Sequence, residues 1–341
     1  MSFLIMIAIR YKDVGLLFNQ ACQLMIHIKC RNYKSPFEAL NTDDDDPGRR
    51  LRFGPLSVFR AIVTVGLQKA SIKDILEPPR FLYRFGSGLS AISFLEIRKD
   101  VGLCLSDSFD KLNSAEKSNL SHWYGMAFAK LVADSEFGIR NLGFSDEMER
   151  SGALNRSSKS QRRPDFVGSG VGDNWHILEA KGRSGITEVS EDLIHSAKEQ
   201  ATTVSSVQGK PPATASAVIV LLSTKPISIF MEDPTPEEGN DMWSIDSETF
   251  LATYYQPIID WLHIVPTREE YFQGLKFTTG RLFPYWERNR KISIGLESRI
   301  FQSPRNAGDY LSDLPERSSD KLGSDGIAIF GSQSLNLMNT E

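Results

Sequence analysis

The sequence predicts an α/β fold, and three observations carry the prediction. Apolar residues recur at helical spacing over 114–135 and again over about 190–204. Between them lie short apolar segments bounded by turn chemistry: Phe137–Phe144, Phe166–Val167 and Trp175–Lys181. A continuous apolar run follows, Ala217–Leu222, of the kind found in a strand buried on both faces.

Taken in order, the first apolar segment is Phe3–Ile9, which ends at Arg10, Lys12 and Asp13. It is too short to span a bilayer and lacks the leading positive charge and small-residue cleavage site of a secretory signal. A packed strand or helix is expected there, and another at Leu24-Met25-Ile26. Asp43–Asp46 and the following Pro47-Gly48 read as a solvated linker, since the alternation of an EF-hand loop is missing. Val58–Leu76 mixes apolar and basic residues and stops at Pro78-Pro79. Phe81–Leu105 holds short apolar runs around Gly86-Ser87-Gly88 and Gly102, without the strand-to-helix context of a nucleotide fingerprint.

Ser114 is placed to cap a helix running through Ser135, with Glu116 in its first turn. Its apolar stripe is Leu120, Trp123, Tyr124, Ala127, Phe128, Leu131 and Val132. A strand over Phe137–Phe144 leads to a basic loop, Arg150 to Arg163. Ser190 is placed to cap a second helix, with Leu193, Ile194, Ala197, Ala201 and Val204 as its stripe; Gly209-Lys210-Pro211-Pro212 breaks it. Met231–Asn240 is an acidic connection to a helix over Phe250–Leu262. Ile292–Ile300 and Gly326–Phe330 read as late strands, and the tail from Gly331 is mostly polar.

Composition narrows the function classes. A chain of 341 residues with a net charge of −4 exerts no global attraction on nucleic acid, so any such surface must be local. The best candidate is the loop carrying Arg150, Arg156, Lys159, Arg162 and Arg163. Tyr285-Trp286 with Arg288, Arg290 and Lys291 pairs aromatics with charge, a combination more often explained by core packing beside exposed arginines. Cys22, Cys30 and Cys104 are too few and too irregular for a disulfide framework. With His27 they match no common zinc spacing, and they suit a reducing cytoplasm.

The densest chemistry lies between Arg163 and Gly182. Pro164-Asp165 opens the apolar pair Phe166-Val167; Gly168–Asn174 is turn chemistry; Trp175–Lys181 is a strand. Alternation puts Ile177, Glu179 and Lys181 on one face and His176, Leu178 and Ala180 on the other. A hairpin would therefore bring Asp165 beside Glu179 and Lys181. Two carboxylates are hard oxygen ligands for a divalent cation, and a lysine beside them can orient a water. A Glu-x-Lys strand is commonly a solvated face. Here it sits within Ile-Leu-Glu-Ala-Lys-Gly, where burial of unpaired charge would be costly.

Pro164-Asp165 followed by Glu179-Ala180-Lys181 resembles the motif of the PD-(D/E)XK, or restriction endonuclease-like, nuclease superfamily. The order helix, three strands, helix, strand over 111–235 is similar to that superfamily's core, which implies a mixed sheet flanked by helices. Residues 1–110 are then an N-terminal α/β region of unassigned role, and 236–341 an extension packing on the core. The resemblance implies a metal-dependent nuclease acting on DNA. Mg²⁺, with Mn²⁺ able to substitute, would be held by Asp165, Glu179 and the Ala180 carbonyl, and Lys181 would activate or position water. It also suggests supporting roles for Glu116 on the first helix and Gln200 on the second; Asp134, Lys198 and His195 are weaker neighbours, and Arg156, Lys159, Arg162 and Arg163 would grip phosphates. A homodimer would explain cutting of both strands. No helicase or ATP-binding motif is present, so a motor or a restriction or phage-defence component would be a separate partner. The rival readings are an inactive nucleic-acid-binding or scaffold protein of the same fold, and an unrelated α/β enzyme or small-molecule binder.

Overall fold

A computed structural model describes residues 24–43, 48–66, 90–98, 101–158, 162–170, 174–233, 241–281, 292–316 and 318–331. The expectations for Phe3–Ile9, Cys22, Asp44–Pro47, Gly86–Gly88, Lys159 and Tyr285–Lys291 lie outside these residues. No helix among the described residues is long and apolar enough to cross a membrane.

The centre is a seven-stranded mixed sheet. Its strands, in chain order, are β1 (Leu24–Arg31), β2 (Arg49–Phe53), β3 (Asn141–Phe144), β4 (Phe166–Ser169), β5 (Trp175–Arg183), β6 (Thr214–Leu221) and β7 (Ser228–Glu232). Their spatial order is β2-β1-β7-β6-β5-β4-β3. β5 and β6 are parallel, as are β1 and β7; the other neighbours are antiparallel. Every residue of β6 is buried, as its unbroken apolar run requires.

Among the described residues, the longest helices against the sheet are α1 (Pro55–Gly66), α2 (Ser114–Phe137), α3 (Glu191–Ala201) and α4 (Ser247–Ile264). One face of the sheet carries Phe166, Leu178, Ala180, Val218 and Val220 in a core shared with α1, α2 and α4. The opposite face splits. Ile219 and Leu221 pack under Ile194 of α3. Val167, Ile177 and Ala215 pack under a small three-stranded sheet made of Leu154–Arg156, Asp241–Ile245 and Val204–Val207. A four-stranded antiparallel sheet, from Thr267–Phe272 to Ile327–Gly331, completes the C-terminal part.

Several boundaries differ from the sequence reading, each for a local reason. Asn113, not Ser114, caps α2: its side chain accepts from the Glu116 N–H while the Glu116 carboxylate accepts from the Asn113 N–H. The helix runs on to Phe137 and ends at Gly138, whose φ of 64° is the left-handed closure glycine supplies cheaply. The strand expected from Phe137 therefore starts at Asn141. α3 does keep Ser190 as its cap, with the side chain accepting from Leu193 N–H, but it ends at Ala201 because Val204–Val207 pairs with the 241–245 strand. Ile292–Ile300 divides into a strand to Glu297 and a helical turn, Ser298–Gln302, capped by the Glu297 carboxylate. β1 and β2, from the N-terminal third, hydrogen-bond into the same sheet as β7, so pairing runs across the boundary expected near residue 110.

Candidate active site

The hairpin of β4 and β5 sets the site. Its register pairs Phe166 with Leu178 and Val167 with Ile177, which continues to Asp165 opposite Glu179 just beyond the last paired residues. Backbone bonds then lock the two acids. Asp165 N–H donates to Glu179 Oε2 at 3.1 Å, and Ala180 N–H donates to Asp165 Oδ2 at 3.0 Å. The carboxylates thereby replace the ladder bonds that β4 stops supplying.

Glu179 is fully buried, and Lys181, on the same face two residues on, keeps a fifth of its side chain exposed. The Lys181 ammonium contacts Glu179 Oε1 and donates to Gln200 Oε1 at 2.7 Å. Burial pushes the Glu179 carboxyl up to about 7; the neighbouring Asp165 charge adds to the rise, and Lys181 opposes it. Burial raises Asp165 as well, against the Ala180 N–H, Lys181 and His122. A buried and a half-buried acid are thus held close with one ammonium between them and Gln200. Such a cluster is short of positive charge.

The structure brings together Asp165, Glu179, Ala180, Lys181 and Gln200. Glu116 does not join them: it is exposed and occupied by its capping box, and its nearness to the buried stripe in sequence gave the wrong direction. Asp134 accepts from the Ser324 hydroxyl at 2.7 Å and pairs with Arg60. Lys198 pairs with Glu232 at 2.8 Å, and exposed His195 lies 3.4 Å from Glu199. His176 is buried on the opposite face, 3.0 Å from Thr214 Oγ1.

The described arginines of the basic loop meet carboxylates. Arg156 is buried and bound by Asp241, with Nε donating to Oδ2 at 2.8 Å. Arg163 is held by Asp146 and Glu149, Arg150 by Asp146 and Glu147, and exposed Arg162 lies 3.6 Å from Glu199. The acids range from local, as for Arg150, to distant, as Asp241 is for Arg156, and the Arg150 and Arg162 side chains stay mostly exposed. Lys159 lies outside the described residues.

Sequence reasoning missed two features. Exposed His122 of α2 acts electrostatically on Asp165; nothing in its local pattern marked it. The second is the glycine after Lys181. A Cβ on Gly182 would lie 1.7 Å from the Ser121 carbonyl oxygen, and one on Gly125 would lie 2.5 Å from Gly182 N. Backbone contact with α2 therefore fixes the end of β5 that carries Lys181. Ser121 reinforces it, with its hydroxyl donating to Ser184 Oγ at 2.9 Å.

No family model, curated protein or solved structure matches the chain.

Proposed function

We propose that this protein is a divalent-metal-dependent nuclease of the PD-(D/E)XK type, with a restriction endonuclease-like core spanning α2 to β6 and DNA as its substrate. The observation that supports it most is the convergence of Asp165, Glu179, Lys181 and Gln200 from β4, β5 and α3. A solvated-face reading of Glu-x-Lys does not account for a carboxylate that is 0% exposed.

The donor set suits a hard cation. Asp165 and Glu179 offer carboxylate oxygens whose pKa values burial raises, a cost of carrying charge there that a dication would offset. No group of three or more His, Cys, Asp or Glu suited to a metal forms among the described residues. The remaining positions would fall to the Ala180 carbonyl and to water, as Mg²⁺ accepts readily and Mn²⁺ also tolerates. Bound there, the ion would supply Lewis-acid polarisation of a phosphate oxygen and a more acidic water. The chain's own part is positional. Lys181, tethered by Glu179 and Gln200, presents its ammonium to the attacking water and to developing negative charge, while the Asp165–Ala180 bond keeps the two acids in register.

The deciding assay offers supercoiled plasmid, linear duplex and single-stranded DNA to the protein in Mg²⁺, Mn²⁺ or EDTA, beside Lys181→Ala. The expected result is metal-dependent cutting, reduced at least about a hundredfold in the variant. Equal rates for Lys181→Ala and wild type would overturn the proposal. Metal-dependent DNA binding without cutting would instead favour a non-catalytic protein of the same fold.

A further inference from the structure

A separate groove lies at the other end of the β4–β5 hairpin, with a cavity volume of about 660 Å³. That is within the range of about 300–1,000 Å³ typical of small-molecule sites. Five parts of the chain build it: Arg140 with Asn141 at the start of β3, Trp175 at the start of β5, Lys210 after the 204–207 strand, Phe250 of α4, and Leu311. Among the described residues, its charged lining residues are Arg140 and Lys210, with no carboxylate, in a chain where acids outnumber Lys and Arg by 43 to 39.

The walls are held from behind. The Arg140 guanidinium donates to the Leu311 carbonyl, and its backbone N–H donates to the Ser169 carbonyl at 3.2 Å. Asn141 Nδ2 donates to Tyr255 Oη at 2.9 Å. Lys210 ends a tight turn closed by reciprocal bonds with Val207 at 2.8 and 3.1 Å. Gln208 and Gly209, at φ 55° and 74°, form the turn, and Gln208 N–H is tied to the Trp243 carbonyl at 2.9 Å. Trp175 is half-buried, with its ring edge-on to Phe250 at 5.2 Å between centroids. A partly open indole beside two cations suits a flat aromatic ring that carries a phosphate.

We infer that this groove binds a nucleoside monophosphate, either free or as the terminal nucleotide of a strand, with the base against Trp175 and the phosphate toward Arg140 and Lys210. The groove is distinct from the acid–lysine site. Trp175 and Glu179 are about 13 Å apart along β5, and the buried cluster of Val167, Ile177, Leu154 and Trp243 lies on that face of the hairpin between them.

The test is calorimetric titration of AMP into the full chain in EDTA, with adenosine, ribose 5-phosphate and a short 5′-phosphorylated oligonucleotide as comparison ligands. Lys210→Glu and Lys181→Ala are measured in parallel, with melting curves to verify folding. The expected result is saturable AMP binding, weakened about tenfold or more by Lys210→Glu and by loss of either base or phosphate, and unchanged by Lys181→Ala. Tighter binding of the oligonucleotide than of AMP would assign the groove to a strand end; the reverse would assign it to a free nucleotide. No saturable AMP or oligonucleotide binding below about 1 mM, or binding lost with Lys181 and kept in Lys210→Glu, would overturn the inference. Neither outcome depends on whether the chain cuts DNA.

Discussion

His176 and Glu179 are neighbours on β5 whose fates diverge because strand alternation sends them to opposite faces. Glu179 meets Asp165, Lys181 and the N–H of Asp165. His176 enters an aromatic setting, stacked on Phe137 and edge-on to Phe37, each with ring centroids 5.8 Å away. Burial pushes its imidazole down to about 4 from an ordinary 6.5. The unfolded chain therefore takes up a proton near pH 6.5 that the folded chain refuses until about pH 4. The stability of the neutral, buried form is full above 6.5 and is lost as pH falls through that window. At about 1.4 kcal/mol per unit, the loss is on the order of 3 kcal/mol. Denaturant midpoints at pH 7 and 4.5 should separate accordingly in wild type and draw together in His176→Gln, which keeps a partner for Thr214. Parallel pH slopes in the two proteins would count against this account.

At the scale of elements, the decisive contact is α2 against β5. Both backbones come close only because Gly125 and Gly182 have no side chains. Gly182→Ala forces a methyl group onto the Ser121 carbonyl, which cannot retreat without moving the helix. The expected destabilisation is about 3 kcal/mol, at the upper end for overpacking, and Lys181 should lose its alignment with Gln200. Urea unfolding measures the first effect and the cleavage assay the second; an unchanged midpoint would show that the helix yields. The 150–163 loop is an element-scale lesson of another kind. Its order of residues shows a run of arginines, and only the packing shows Asp241, Asp146, Glu149 and Glu199 meeting them.

For the whole molecule, the question is whether the proposed core stands by itself. β1 pairs along β7 from His27 opposite Ser228 to Arg31 opposite Glu232, and Leu24, Ile26 and Ile28 are fully buried in the shared core. Tyr33 of the same segment donates to Ser216 Oγ of β6 at 3.0 Å. A chain beginning at residue 111 would expose that edge of β7 and the apolar surface β1 covers. Such a chain is expected to lose near-UV circular dichroism and cooperative unfolding, and to bind a hydrophobic dye. A sharp, cooperative melt of residues 111–341 would show instead that the N-terminal third is dispensable for folding.

The sequence by itself determined the α/β class, the two stripes that lie on α2 and α3, the doubly buried strand around Ala217–Leu222, and the acid–acid–lysine set on one hairpin. These follow from periodicities and from a turn, all local along the chain. Gln200 was legible only as one of several polar residues on α3. Only the tertiary structure decided that Gln200 rather than Lys198 or His195 reaches Lys181, that Glu116 turns back to the Asn113 N–H, that an acid as far off as Asp241 pairs with Arg156, and that Trp175, Arg140 and Lys210 share a groove. A helix position is set by its face only after packing fixes the helix's rotation, and a charge is free or paired according to neighbours that the order of residues does not reveal.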